Sequence, residues 1–194
     1  MTATNDQLII DKVLNGNTNA FSELVNSYKD LVFSLAIKMT KNREEAEEIS
    51  QDTFIKAFKN LAKFNGDSKF STWLYKIAYH ACLDRFKKNV NLYKTDSIDS
   101  LVSFNISSAE DTMQSIERTE RAEMMNFCMN ELPEEERSIL WFFYYKELSL
   151  KEIFEITDFS EANIKVKLHR ARKHLLKIVQ QRFEPEMIKH YGKK

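Results

Sequence analysis

Residues 149–173 read SLKEIFEITDFSEANIKVKLHRARK. Ser149, followed three positions later by Glu152, forms a capping-box pattern that predicts the start of a short helix. The turn TDFS (157–160) then leads to Ser160, which is a favourable N-cap for a longer, basic helix. A short helix, a tight turn and a longer basic helix are typical of the helix-turn-helix, so the pattern predicts a duplex DNA-binding unit.

The second helix of this unit carries the side chains that suit DNA recognition. Its N-terminal part would meet base edges in the major groove, where Asn can pair with adenine, Lys or Arg with guanine, and Glu with cytosine. The turn lacks the glycine that many such units use, and Asp158 can adopt the left-handed conformation instead. The candidate duplex-binding residues are Ser160, Glu161, Asn163, Lys165, Lys167, Arg170, Arg172 and Lys173.

The composition predicts an all-α protein. The chain has 194 residues, which is room for one or two small domains, and it contains only three Gly and two Pro. Its formal net charge is +0, but the charge is unevenly distributed: residues 160–194 hold ten Lys or Arg against three Asp or Glu, and residues 119–159 hold four against ten. Opposite fields in adjacent stretches predict one face for DNA and another for a basic protein surface.

The rest of the chain divides into two helical domains. Four helices with apolar residues at i, i+3 and i+4 are predicted in the first half. Their predicted caps are Asn5 or Asp6, Thr18, Asn42, and Ser71 or Thr72. A stretch rich in Ser, Asn and Asp then breaks the periodicity, and Pro133 opens a later helix. We therefore predict a first domain (1–89), an acidic, flexible linker (90–109) and a helix-turn-helix domain (110–194), with the two domains loosely tethered.

An aromatic run in the first domain suits unpaired DNA. Residues 64–79 read FNGDSKFSTWLYKIAY, in which 64–70 is predicted to be a loop. Aromatic faces stack on unpaired bases with little dependence on sequence. A chain with this run and a helix-turn-helix can hold duplex DNA at one point and opened DNA at another, as promoter opening requires.

Other classes of site find little support. Cys82 and Cys128 lie in apolar helical stretches and are predicted to be buried, reduced thiols. His80 and Cys82, at i and i+2, point to different helix faces, which argues against a shared metal. No nucleophile–base set, phosphate loop or cofactor motif is recognisable, so we expect no catalysis, metal or cofactor. We find no long apolar span or signal-peptide pattern, and expect a cytoplasmic protein.

Four segments together carry a family resemblance. They are REEAEEISQDTFIKAFKNL (43–61), FNGDSKFSTWLYKIA (64–78), LPEEERSILWFFYYKELSLKEI (132–153) and VKLHRARKHL (166–175). In this order they closely resemble the extracytoplasmic-function sigma factors, the small two-domain members of the sigma-70 class. The resemblance implies that the first domain docks on the clamp helices of the RNA polymerase largest subunit and captures the melted −10 element. It implies that the second domain binds the flap tip of the second-largest subunit and reads the −35 element as duplex.

The resemblance also assigns roles to particular residues of the first domain. The implied polymerase-docking residues are Glu47, Glu48, Gln51, Asp52 and Lys56. The implied −10 residues are Phe64, Asn65, Gly66, Asp67, Ser68 and Lys69, which form a loop that pockets a flipped base, together with Tyr75, His80 and Arg85. Trp73 also completes a core stripe and is predicted to pack inside. His80 departs from the family, which commonly has Asn at this position.

Alternative interpretations remain open at this point. The docking face could be an ordinary solvated acidic surface, and the linker either a plain tether or a segment threaded toward the active centre of polymerase. The whole chain could be an ordinary helix-turn-helix regulator, or a helical adaptor whose basic helix meets an acidic protein. A sensor domain, however, has no evident use for a loop of this kind beside an aromatic helix. The family further implies an anti-sigma partner.

Overall fold

The structure is a computed structural model that describes residues 3–92 and 113–183, and helices and turns account for both ranges. The helices are α1 (Ala3–Leu14), α2 (Phe21–Thr40), α3 (Arg43–Lys59), α4 (Phe70–Leu92), α5 (Met113–Asn130), α6 (Glu134–Leu140), α7 (Leu150–Thr157) and α8 (Glu161–Arg182). The predicted all-α, two-domain class is confirmed. Since α4 continues to Leu92 and the rest of the predicted linker lies outside the described residues, the domain boundaries stay predictions.

The first domain is built on α2, which packs against both α3 and α4. Leu24 and Leu35 of α2 and Leu74 of α4 are fully buried between these helices. Asn42 caps α3 as predicted, because its side chain accepts a hydrogen bond from the backbone N–H of Glu45 at 3.0 Å. The bundle thereby holds the exposed face of α3 and the loop before α4 on rigid supports.

The other three caps predicted for the first domain are wrong. Asn5 and Asp6 lie inside α1, and Ser71 and Thr72 lie inside α4, because each of these helices begins before the predicted cap. Thr18 does not cap α2; it begins a single 3₁₀ turn, Thr18–Ala20, and α2 starts only at Phe21 without a side-chain cap. The tighter turn lets the chain bury Ala20 and Phe21 against the core before the regular helix begins.

The helix-turn-helix forms as the local sequence predicts. Ser149 and Glu152 make the reciprocal capping box: the backbone N–H of Ser149 donates to the carboxylate at 2.9 Å, and the N–H of Glu152 donates to Ser149 Oγ at 3.2 Å. Asp158 adopts the left-handed conformation, with φ of 60°, and so ends α7. Ser160 caps α8 by accepting from the N–H of Asn163 at 3.3 Å. A π-helical turn that the sequence did not predict, Trp141–Tyr145, follows α6.

The two domains pack directly against each other, so the expectation of loosely tethered domains is wrong for this structure. The main contact is between α4 and α7, and a second joins α2 to α6. In the second contact, the buried guanidinium of Arg137 donates to the carbonyl oxygen of Met39 at 3.3 Å. Beside it, Lys38 Nζ donates to Asn126 Oδ1 at 2.8 Å.

Both cysteines are free and buried, as predicted. Burial raises the pKa of the Cys82 thiol to about 12, which keeps it protonated and unreactive at neutral pH. In the described part of the chain, no helix is long and apolar enough to cross a bilayer. Within the same ranges, no cluster of three or more His, Cys, Asp or Glu side chains could hold a metal ion.

Candidate nucleic-acid interface

The exposed face of α3 brings the predicted docking residues together. Glu47, Glu48, Gln51, Asp52 and Lys56 are all solvent-exposed. Two of them have partners: Glu47 pairs with Arg43 at 2.9 Å, and Glu48 pairs with Arg85 of α4 at 2.5 Å. Arg85, predicted to contact −10 DNA, is thus engaged by a carboxylate of the α3 face.

The sequence interpretation missed an apolar residue on the same face. Ile55 lies three and four positions after Asp52 and Gln51, and its side chain is 51% exposed. Single exposed apolar side chains are common on protein surfaces, and here the isoleucine adds apolar area to a polar face that a protein partner can bury. Its position outside the stripe of Ala46, Ile49 and Phe54 was the available signal.

The loop before α4 exposes its polar residues and partly buries the ring of Phe64. Asn65, Gly66, Asp67 and Lys69 are exposed, and Ser68 is partly so. Gly66 has φ of 77°, a conformation that a side chain would strain. Phe64 turns inward, with its ring 5.5 Å from that of Phe70 and 5.4 Å from that of Trp73. The aromatic cluster therefore supports the loop from beneath.

A cationic groove runs along α4 beside this loop. It has a volume of about 380 Å³ and is lined by Lys56, Asn60, Lys63, Trp73, Lys76, Ile77, His80 and Ala81. Lys56, predicted to face polymerase, borders the groove, and Lys63 and Lys76 were not predicted at all. Three lysines around a tryptophan provide both the positive charge and the flat ring that single-stranded DNA needs.

The second domain covers part of this face. Tyr75, predicted to stack on DNA, is only 3% exposed because Trp141 and Phe142 pack edge-on against it, with ring centroids 5.9 and 5.5 Å away. Lys69 Nζ lies 2.8 Å from Glu152, and this hydrogen bond raises the pKa of the lysine. The structure therefore places several predicted −10 residues at the contact between domains.

The turn residue Asp158 contacts two of the residues that line the groove. Its carboxylate lies 2.7 Å from Lys76 Nζ and 3.3 Å from His80 Nε2. His80 thus lies partly buried beside a carboxylate of the second domain.

Most of the predicted duplex-binding residues project from α8 into solvent. Ser160, Glu161, Asn163, Lys165, Arg170, Arg172 and Lys173 are exposed. Lys167 is not, because its ammonium lies 2.8 Å from Glu135 and 4.4 Å from the centre of the Phe159 ring. Arg172 donates to the Tyr144 hydroxyl at 3.0 Å. Val166 is 47% exposed on this surface.

Together these features form two separate surfaces for nucleic acid. The side of α8 that carries the buried residues Ile164, Leu168 and Ala171 packs against the rest of the second domain. The opposite side of α8 is therefore free to enter a groove of duplex DNA. The α3–α4 groove and its loop form the other surface, which suits a single strand.

Comparisons with known proteins agree with this division. The family model described as Sigma-70 region 2 matches residues 24–91, and that described as Sigma-70, region 4 matches residues 122–175. The chain is 34% identical to the ECF RNA polymerase sigma factor SigW of Bacillus subtilis, over 87% of this chain and 93% of the relative. It is 30% identical to the RNA polymerase sigma factor YlaC of the same organism, over 88% and 98%.

Two solved structures share the fold. The chain is similar to CnrH in its complex with the cytosolic domain of CnrY, with a TM-score of 0.63, 19% identity and coverage of 92% of this chain and 99% of that one. It is also similar to the sigma factor RpoE of Bartonella quintana in complex with the anti-sigma factor NepR, with a TM-score of 0.67, 18% identity and coverage of 84% and 98%.

Proposed function

Because this chain belongs to the extracytoplasmic-function group of the sigma-70 family and is an RNA polymerase sigma factor, we propose that it reads two promoter elements in two different ways. The exposed side of α8 reads the −35 element as duplex, and the groove and loop of the first domain hold the melted −10 strand. The observation that carries this proposal is the pairing of an exposed basic helix with a separate cationic groove beside a glycine loop.

The chemistry of the groove and its loop supports the assignment of the melted −10 strand to this surface. Flipping a base out of the stack costs a few kcal/mol, which stacking and hydrogen bonds to base edges offset. Asn65, Asp67 and Ser68 supply hydrogen-bonding groups, and Gly66 permits close approach of the backbone. Lys56, Lys63 and Lys76 supply charge for the phosphates of the adjoining nucleotides.

The exposed α3 face is the proposed polymerase-docking surface. Gln51, Asp52 and Ile55 form a mixed polar and apolar patch on one rigid helix. We assign this patch to the clamp helices of the largest polymerase subunit, and the second domain to the flap tip of the second-largest subunit. The chain then acts by binding, without catalysis of its own, and acts in the cytoplasm, where it meets core polymerase.

An anti-sigma factor is the proposed inhibitory partner. The similar sigma factor from Bartonella quintana was solved with the anti-sigma factor NepR, and its fold extends over most of this chain. The same acidic docking face, masked by a basic partner, would be withheld from polymerase.

Reconstituted transcription tests the proposed function. When the purified chain is added to sigma-free core polymerase, we expect specific starts on genomic fragments, mapped by sequencing the transcript ends. An ordinary repressor or activator, or a helical adaptor, would produce none. Absence of specific starts, although the chain associates with core polymerase, would contradict the proposal.

His80 is expected to set part of the −10 preference. The neutral imidazole donates one hydrogen bond and accepts one, whereas an asparagine amide donates two and accepts through its oxygen. We therefore expect His80→Asn to change which base is favoured at one −10 position. A promoter library transcribed by the reconstituted holoenzyme measures this, and an unchanged profile would contradict it.

A further inference from the structure

The first helix of the chain lies beside the loop that is proposed to hold a flipped base. α1 comes before the residues that the region 2 model matches, and no residue of α1 has a role in the proposed reading of the promoter. Its buried side, formed by Ile9, Ile10 and Val13, packs into the core of the first domain. The helix also contacts the 3₁₀ turn Leu61–Lys63, which leads directly into the loop. α1 therefore borders the proposed single-strand surface.

A buried polar contact fixes α1 to the aromatic cluster beneath the loop. The Tyr28 hydroxyl donates at 2.5 Å to the carboxylate of Asp6, a residue of α1 that is only 4% exposed. The ring of Tyr28 lies 5.4 Å from that of Phe70, which in turn lies 5.5 Å from that of Phe64 at the start of the loop. Because a buried polar group that loses its partner is costly, this contact holds α1 in one position relative to the loop.

Gln7, the residue after Asp6, is exposed and faces the loop at Gly66. Its side-chain oxygen Oε1 lies 3.7 Å from the position that a Cβ atom on Gly66 would occupy. Gly66 has φ of 77°, which favours glycine at this point of the loop. Because glycine has no side chain, nothing on residue 66 itself separates the Gln7 oxygen from a base that approaches the loop.

Asp11 orients the amide of Gln7. The Nε2 atom of Gln7 donates to Asp11 Oδ1 at 2.9 Å, one turn further along α1. A carboxylate only accepts hydrogen bonds, so it engages the NH₂ group of the amide and leaves the oxygen for another partner. Gln7 therefore offers the loop a hydrogen-bond acceptor and not a donor.

From this geometry, and resting on the proposed −10 surface, we infer that Gln7 reads the flipped base of the −10 strand. Its Oε1 atom accepts a hydrogen bond from the exocyclic amino group of the base. Cytosine and adenine carry that amino group, at N4 and N6, whereas thymine and guanine have an acceptor oxygen in the same place. Gln7 thus favours cytosine or adenine at the flipped position, because an oxygen there would face a second oxygen.

The test uses base analogues that lack only the amino group. In a fluorescent single-stranded oligonucleotide with the preferred −10 sequence, 2-pyrimidinone replaces cytosine and unsubstituted purine replaces adenine, at one position at a time. Anisotropy measures binding to the reconstituted holoenzyme. With the unmodified chain, we expect the analogue at one position to bind about fivefold more weakly than the natural base, as loss of one hydrogen bond implies.

Gln7→Met is the variant that separates reading from support. Methionine has a similar length and no amide, and the position is exposed, so the fold of α1 is retained. In this variant, the fivefold difference between natural base and analogue should fall below about twofold. The matched control, Gln180→Met, makes the same change at an exposed glutamine of α8 in the second domain and should keep the difference.

Each remaining outcome contradicts the inference. If no position distinguishes base from analogue with the unmodified chain, or if Q7M and Q180M show the same differences, Gln7 does not read the base and the proposed function stands. If Q7M weakens binding equally for base and analogue, Gln7 only supports the loop, which also overturns the inference. If the unmodified holoenzyme binds no −10 oligonucleotide, the proposed −10 surface fails together with the inference.

Discussion

Replacing Asp52 by lysine is expected to weaken binding of this sigma factor to core RNA polymerase by about 100-fold. Asp52 is exposed near the middle of α3 and has no ion-pair partner among the described residues, so its charge is available to a partner. Substitution at the centre of an interface typically costs 2 kcal/mol or more, and a like charge set against a basic surface adds to that loss. Association with fluorescent core polymerase measures the effect.

The control for this substitution is Asp30→Lys. Asp30 is an exposed carboxylate on α2 of the same domain, so the variant undergoes the same change of net charge. Its affinity for core polymerase should change by less than threefold if the loss at Asp52 is local. Equal losses in the two variants would show that polymerase senses the overall charge of the domain and not the α3 face.

Ile55 explains why this effect should be large. An exposed isoleucine one turn from Asp52 gives the face an apolar centre surrounded by polar groups. Burying such a side chain stabilises a complex by about 1.5–3 kcal/mol, and the surrounding charges orient the partner. Asp52 lies close enough to this centre that a lysine there would place its charge in the part of the interface that loses its water.

The local features of this fold follow from short stretches of sequence. Asn42, Ser149 and Ser160 cap their helices as predicted, because an N-cap depends on a side chain and a backbone N–H only two or three residues away. The left-handed Asp158 was predictable for the same reason, since the turn offers no glycine. The exposure of the duplex-binding candidates on α8 also follows from the local sequence, because the 3.6-residue period of the apolar residues assigns the opposite side of the helix to the core.

The features that the sequence did not predict depend on contacts between distant residues. Lys69 and Glu152 are 83 positions apart, and Lys76 and Asp158 are 82 apart. Neither pair has a local signature, so Tyr75 was expected on a DNA-facing surface and instead lies between domains. The same holds within the second domain for Lys167, whose position on α8 suits DNA binding but whose ammonium pairs with Glu135 of α6. The sequence pattern identifies residues whose chemistry suits DNA binding. Contacts with residues that are distant in the sequence decide which of them stay accessible.

The second large effect is expected at the recognition helix, where Lys165→Ala should lower affinity for the preferred −35 duplex by about tenfold and weaken the preference for one base. Lys165 is exposed in the second turn of α8, the part of such a helix that meets base edges. Loss of one good base contact costs about 1–3 kcal/mol of discrimination. Holoenzyme binding to a library of −35 sequences, selected and sequenced, measures both quantities.

Lys173→Ala provides the matched comparison, because it removes the same exposed side chain from the same helix eight residues further on. There the helix has passed the base edges and a lysine contacts phosphate, so affinity should fall by a similar factor for every sequence. The slope of log affinity against log salt concentration should decrease by about 1, and the base preference should not change. If Lys173→Ala altered the preference and Lys165→Ala did not, the orientation of α8 on DNA would be reversed from the one proposed. If neither altered it, α8 would bind the backbone alone, and the −35 sequence would have to be read through its shape.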